Sequence, residues 1–282
     1  LSVNEFERII TFVFTVPIIV RCQLQRLSLD CHYTALKDIK NALKIVPDLH
    51  SLFIYHLDDK EEALGPHFIP QGVCINRIYI SNTNIKDVNG DTFVPLKKCL
   101  EKLSITSSKL KKVPQKALSE LQKLSSIELS SNYIEDLPSF GFYNLPLAKL
   151  KLTRNELNNI SESAFSGLES TLSKIDLSEN KLTILPITAI TNLRHLRSLS
   201  LSWNKLSSFP FIENTELGSL EFLNLYKNNF EFISEDCLRF CPSLTTLLLS
   251  FNFINSIHYK AFNHLIALKS IDLIIIIFWM CQ

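Results

Sequence analysis

Glycine is scarce, with only six residues in 282. That excludes a Gly-rich phosphate cradle, and the chain carries no P-loop, no G-x-S-x-G and no H-E-x-x-H. Charge of one sign is missing as well: 29 Lys and Arg stand against 28 Asp and Glu, a formal net charge of +1. So even a balance argues against nucleic acid or an anionic membrane as the partner. Long hydrophobic runs are also absent. The longest nearly continuous stretch is Ile9 to Val20, well short of the about 20 residues a bilayer span requires. Its length suits the apolar region of a secretory signal, and the other reading is a strand of an amino-terminal cap. The seven histidines are scattered, with His195, His258 and His264 on return segments. Cys237 and Cys241 form a lone C-x-x-x-C without a second Cys/His pair, which points to packed thiols rather than a metal site. The sequence therefore implies no catalytic residues, no metal and no cofactor, and the chain reads as non-enzymatic.

What is present is periodic. Leu124-Ser-Ser-Ile127-Glu-Leu129-Ser-Ser-Asn132-Tyr-Ile134 spells L-x-x-L-x-L-x-x-N-x-L, and the pattern restarts at Ile75, Leu100, Leu124, Leu147, Leu172, Leu196, Leu220, Leu244 and Leu268. This is the leucine-rich repeat signature at its usual spacing. It predicts an α/β leucine-rich repeat solenoid, a curved horseshoe with a parallel sheet on its concave face and short helical turns outside.

Side chains alternate along a strand, so the fourth and sixth residues of each unit face the core, as with Ile127/Leu129, Leu150/Leu152 and Ile175/Leu177. The ninth residue is Asn132, Asn155, Asn180, Asn204, Asn228 and Asn252, but Thr83 and Ser108 in the first two units. An amide offers both donor and acceptor, so the six Asn predict a ladder along the turn, while the hydroxyls predict less regular early coils. In the return half a small residue precedes an apolar one, as in Gly141-Phe142, Ala164-Phe165, Ala189-Ile190 and Cys237-Leu238. Glu213-Asn214 breaks that pattern and predicts an irregular loop.

The ends are less regular. Residues 1–21 are read as a signal-peptide remnant or cap strand, 22–74 as a cap with degenerate coils, 75–273 as repeats, and 274–282 as an atypical apolar tail. The run Ile274-Ile-Ile-Ile in place of S-x-N reads as a truncated or mis-spliced end. In the cap, Leu24/Leu27/Leu29 and Leu49/Leu52/Ile54 carry a faint repeat in matching register, with a helix expected around Ala35 to Ile45. Cys22 and Cys31 suit a cap disulfide. Cys74 and Cys99 each immediately precede a repeat start. Neighbouring coils about 4.8 Å apart bring them within bridging distance; free thiols are the alternative. Asn159-Ile160-Ser161 is the one N-glycosylation sequon, usable only in a secreted chain.

The third, fifth, seventh and eighth positions line the concave face. In the last repeats they include Trp203, Phe222, Tyr226, Leu248 and Phe251, which together make a candidate apolar partner-binding patch. Packing against a missing closing cap or against the isoleucine-rich tail is the other reading. Lys149, Lys151, Arg154 and Lys174 gather earlier on the same face, beside Asp176 and Glu179. They suit either an acidic partner surface or ordinary solvation.

The motif L-x-x-L-x-L-S-x-N-x-L-x-x-L-P-x-x-A-F, carried by Leu172 to Ile190 and Leu244 to Phe262, resembles the extracellular leucine-rich repeats of the Slit, chaoptin and Toll group. Leu27 to Cys31, Ile75 to Ile80 and Gly90 to Phe93 further resemble arthropod secreted proteins related to the non-catalytic subunit of Oplophorus luciferase. The resemblance implies an extracellular, secreted or surface-attached scaffold that binds a protein. The alternatives are a truncated adhesive or Toll-like receptor ectodomain, or a non-catalytic subunit of an enzyme complex.

Overall fold

The computed structural model describes residues 22–25, 27–46, 48–58, 60–209 and 217–274. The Ile9 to Val20 stretch, the Glu213-Asn214 irregularity and nearly all of the isoleucine tail lie outside these residues. The chain forms two compact units, Leu1–Leu110 with Pro114–Leu124, and Lys111–Val113 with Ser125–Gln282.

In the first unit, strands Ser28–His32, Asp48–Tyr55, Cys74–Ser81 and Lys102–Thr106 run parallel in register, aligning Leu29, Leu52, Ile78 and Leu103 in one row. Cys31, Ile54, Ile80 and Ile105 form a second row, and all eight side chains are buried. Strand Cys22–Gln25 folds back antiparallel on Ser28–His32 and pairs Leu24 with Leu29. This corrects the cap register. Leu29 and Cys31, not Leu27 and Leu29, are the coil's core pair, and Leu27 is 54% exposed. The tight reversal between Gln25 and Ser28 takes Leu27 out of the strand, so its apolar spacing does not report a core position. The ladder place in this coil consequently belongs to Thr34, not His32, and the Thr34 hydroxyl donates to the His32 carbonyl at 2.8 Å.

Helix Leu36–Ile45 buries Ile39 and Leu43, one turn apart on one face. Asp38 in its first turn and Lys44 in its last complement the helix dipole. Ala35 offers no capping side chain; instead the Leu36 amide donates to Glu61 Oε1 at 3.3 Å. Cys22 and Cys31 are bonded across the hairpin, and Cys74 and Cys99 across neighbouring coils, with Cα atoms 3.9 and 5.6 Å apart respectively.

The second unit stacks seven three-residue strands in parallel register: Ser126–Glu128, Lys149–Lys151, Lys174–Asp176, Ser198–Ser200, Phe222–Asn224, Thr246–Leu248 and Ser270–Asp272. Two-residue strands on the return side pair Asp136–Leu137 with Asn159–Ile160 and Phe232–Ile233 with Ser256–Ile257. The rings of Phe142 and Phe165 and the side chain of Ile190 fill the interior at 1% exposure or less. Space is tight before Phe142: a Cβ on Gly141 would lie 3.2 Å from the Pro138 carbonyl oxygen.

The asparagines do more than occupy a turn. From Asn155 to Asn252, each amide donates to the sixth-position carbonyl of its own strand at 2.8–3.1 Å and of the preceding strand at 2.9–3.0 Å. Each Oδ1 accepts an amide N–H from the preceding coil at 3.0–3.1 Å. Thr83 and Ser108 bond each other at 2.7 Å, and Ser108 donates on to the Thr106 carbonyl at 3.1 Å. Shorter side chains therefore give a sparser ladder in the first unit.

A backbone feature accompanies the ladder. The eighth residue of each unit, Asn82, Ser107, Ser131, Arg154, Glu179, Trp203, Lys227 and Phe251, has φ between 47° and 60°. This left-handed step turns the chain from the strand into the Asn turn, in a region that residues with a Cβ rarely occupy.

Candidate partner-binding face

The outward side of the second unit's strands changes character along the stack. At its start, Lys149 and Lys174 are register partners on adjacent strands, and both are exposed. The other two basic residues are engaged within the chain. Lys151 Nζ lies 3.1 Å from Glu128 Oε1, and Arg154 Nε donates to Glu179 Oε2 at 2.8 Å. The hydrogen bond to Glu179, then its charge, raise the Arg154 pKa further. Exposed pairs of this kind contribute little to stability, but they lower the positive potential of the cluster.

The middle of this face is hydroxyl-rich. Asp176 Oδ1 accepts from the Ser178 hydroxyl at 2.6 Å, Ser178 meets Ser200 at 2.7 Å, and Asn224 Nδ2 donates to Ser200 at 3.2 Å. This chain pins three successive strands through their outward side chains.

Beyond it the aromatic residues come together. Tyr226 and Phe251, from neighbouring coils, have ring centroids 4.9 Å apart at an interplanar angle of 50°. Trp203 is 48% exposed and Phe251 58%, while Phe222 and Leu248 are half-buried within their strands. Lys227 is the residue that the motif reading missed, and its Nζ sits 3.5 Å from the Trp203 ring centroid. Its signal was available: Trp203 and Lys227 both hold the eighth, left-handed position, one repeat apart. Together these side chains offer an apolar surface with a cation held over an indole, a composition favoured at protein interfaces.

Other sequence-derived sites lie elsewhere. Asn159 is exposed on the return side, where its strand pairs with Asp136–Leu137 and Ser161 meets Ser139 hydroxyl to hydroxyl at 2.7 Å. Cys237 and Cys241 are free and buried. Burial pushes the Cys237 thiol up to about 12 and raises Cys241 as well. Both therefore stay protonated at pH 8, and native protein should resist iodoacetamide at these two positions while urea-unfolded protein labels promptly. Peptide mass mapping reads the result; fast native labelling would contradict the buried placement. Among the described residues, no group of three or more His, Cys, Asp or Glu is arranged for a metal ion. Nor is any described helix long and apolar enough to cross a membrane.

Comparison with known proteins agrees with this architecture. The sequence family described as Leucine rich repeat matches residues 98–147 and 146–206. Tsukushi from Mus musculus is 29% identical over 219 residues, covering 75% of this chain and 61% of its own length. Leucine-rich repeat-containing protein 3 from Danio rerio is 40% identical over 76 residues, covering 27% of this chain and 29% of its own length. The chain thus spans less than two thirds of either relative. The structure of the Toll–Spatzle complex from Drosophila superposes with a TM-score of 0.72 at 24% identity, over 86% of this chain and 32% of that one. The fold is a leucine-rich repeat solenoid, and its repeats are similar to those of extracellular proteins such as Tsukushi.

Proposed function

We propose that this protein is an extracellular, non-enzymatic scaffold that recognises a protein partner through the outward face of its sheet, with the second unit's aromatic patch as the anchor. The observation that carries this reading is the cluster of Trp203, Lys227, Tyr226 and Phe251: four large side chains from three successive coils, gathered on one face with the Trp203 and Phe251 rings about half exposed. A contiguous surface of this composition has the anchors that interfaces concentrate their energy in. Toll, which shares the fold, is found in complex with Spatzle, a precedent for a protein partner. Near-zero net charge and the internal pairing of Lys151 and Arg154 favour a protein over a nucleic acid. The exposed sequon at Asn159 on the return side would accept a glycan in a secreted chain. Kinship to the luciferase subunit rests on the front-end motifs alone.

The test pairs Trp203→Ala with Tyr226→Ala in one variant and compares the extracellular proteins each form captures. Removing two anchors should weaken partner capture by about a hundredfold or more, with the melting profile little changed because both side chains face outward. Equal capture by both forms would reject the patch as the binding site.

A further inference from the structure

The first unit carries a second surface that the repeat motif does not announce. On its outward face the rings of His32, Tyr55, Phe53 and Tyr79 form one continuous row. Successive centroids lie 4.9, 6.3 and 4.7 Å apart, with interplanar angles of 22°, 10° and 7°. The row ends in a cation, Lys102 Nζ, 4.9 Å from the Tyr79 centroid. Strand pairing explains it: Phe53 and Tyr79 are register partners, as are His32 with Tyr55 and Arg77 with Lys102. Side chains stand nearly perpendicular to a sheet, so the rings lean face to face on each other and turn their edges and phenol groups outward. Ring faces already covered by neighbours are unavailable for stacking a base or a sugar. What remains is a rigid ridge of ring edges and hydroxyls, which loses little side-chain freedom on binding.

The charges along this ridge are unequal. The carboxylate of Asp30 lies beside this ridge, with His32 Nε2 3.0 Å from its Oδ1. Arg77 is exposed and has no ion-pair partner among the described residues. Burial first, then Asp30 and Tyr79, raise the Tyr55 pKa, so its hydroxyl stays protonated at neutral pH and can donate. Two permanent cations are too few to hold a polyanion by counterion release, yet they suit one or two carboxylates beside an aromatic anchor.

We propose that the first unit's outward face is a second docking surface, taking an acidic segment of a protein partner across the Phe53–Tyr79 ridge with its carboxylates on Arg77 and Lys102. The surface lies in the other unit from the Trp203 patch and goes beyond the function proposed above. The test uses the full chain and a fluorescein-labelled hexaglutamate peptide, followed by anisotropy at low salt, with a hexalysine peptide as control and a heparin decasaccharide as competitor. The hexaglutamate peptide should bind and hexalysine should not. Arg77→Ala and Tyr79→Leu should each weaken binding about tenfold, while Trp203→Ala leaves it unchanged. Absence of hexaglutamate binding, or binding indifferent to Arg77→Ala, would overturn the proposal. Loss of binding in Trp203→Ala would move the site to the second unit. Heparin binding far tighter than the peptide, and sensitive to Arg77→Ala, would make this a polyanion site and also reject the proposal. Circular dichroism of each variant separates lost binding from lost folding.

Discussion

Asn180→Ala should destabilise the second unit by about 3 kcal/mol, among the largest single-residue effects expected in this chain. The reason lies in what its amide holds. Asn180 Nδ2 donates to the carbonyls of Leu152 and Leu177 at 2.9 and 3.0 Å, and Oδ1 accepts from the Leu157 N–H at 3.1 Å. The two carbonyls keep other partners, since Asn155 also donates to Leu152 and Asn204 to Leu177. The Leu157 N–H does not share its acceptor in this way, and it is left buried and orphaned, at about 1–3 kcal/mol. The Nδ2 bonds to the Leu152, Leu177 and Ser178 carbonyls are lost as well, and a void opens beside buried backbone. Asn180→Asp should be no milder, because it keeps the acceptor but replaces the donors with a buried charge. Thr83→Ala provides the contrast. The Thr83 hydroxyl accepts from the Ile85 N–H at a long 3.4 Å and otherwise meets Ser108, so the loss there should stay near 1 kcal/mol. Urea unfolding of the three variants measures the order. Equal effects at positions 83 and 180 would mean that the ladder is not what ties the coils together.

Opening the Cys74–Cys99 bridge should cost a similar amount by a different route. The two residues are 25 apart in sequence, and releasing a loop of that length returns about 3.5 kcal/mol of chain entropy to the unfolded state. Replacing both with serine avoids leaving a reactive thiol. The bridge joins the start of strand Cys74–Ser81 to the approach of Lys102–Thr106, where the ladder is at its sparsest, with hydroxyls in place of amides. A cross-link at that point restrains the coils that hydrogen bonds restrain least. In a repeat protein, neighbours supply most of the stability of each coil. The loss should therefore appear as an early unfolding phase of the first unit rather than as a uniform shift. A single unshifted transition in the double variant would show that the bridge contributes nothing there.

The periodic parts of this protein were legible from residue types alone. A repeat that places apolar side chains at its fourth and sixth positions and Asn at its ninth has one economical solution, because every coil repeats the environment of the last. Ile127, Leu150, Ile175 and Leu199 accordingly occupy one buried row in the second unit. The cap escaped this logic. Leu24, Leu27 and Leu29 carry the right spacing, but the two-residue reversal before Ser28 makes the first strand antiparallel and shifts the core to Leu29 and Cys31. A pattern read along one strand cannot report a change of strand direction.

The outward face shows the same division. Sequence by itself determined which residues point away from the core, since alternation is a local property of the strand. Only the tertiary structure decided what they do there, because each outward side chain meets a residue about 24 positions away in the next coil. That distance settles that Arg154 and Lys151 spend their charge on Glu179 and Glu128, and that Lys227 lies over Trp203. It settles equally that Phe53 of the degenerate cap and Tyr79 of the first repeat stand ring against ring. The core of this solenoid is written in each repeat; its surface chemistry is written only between repeats.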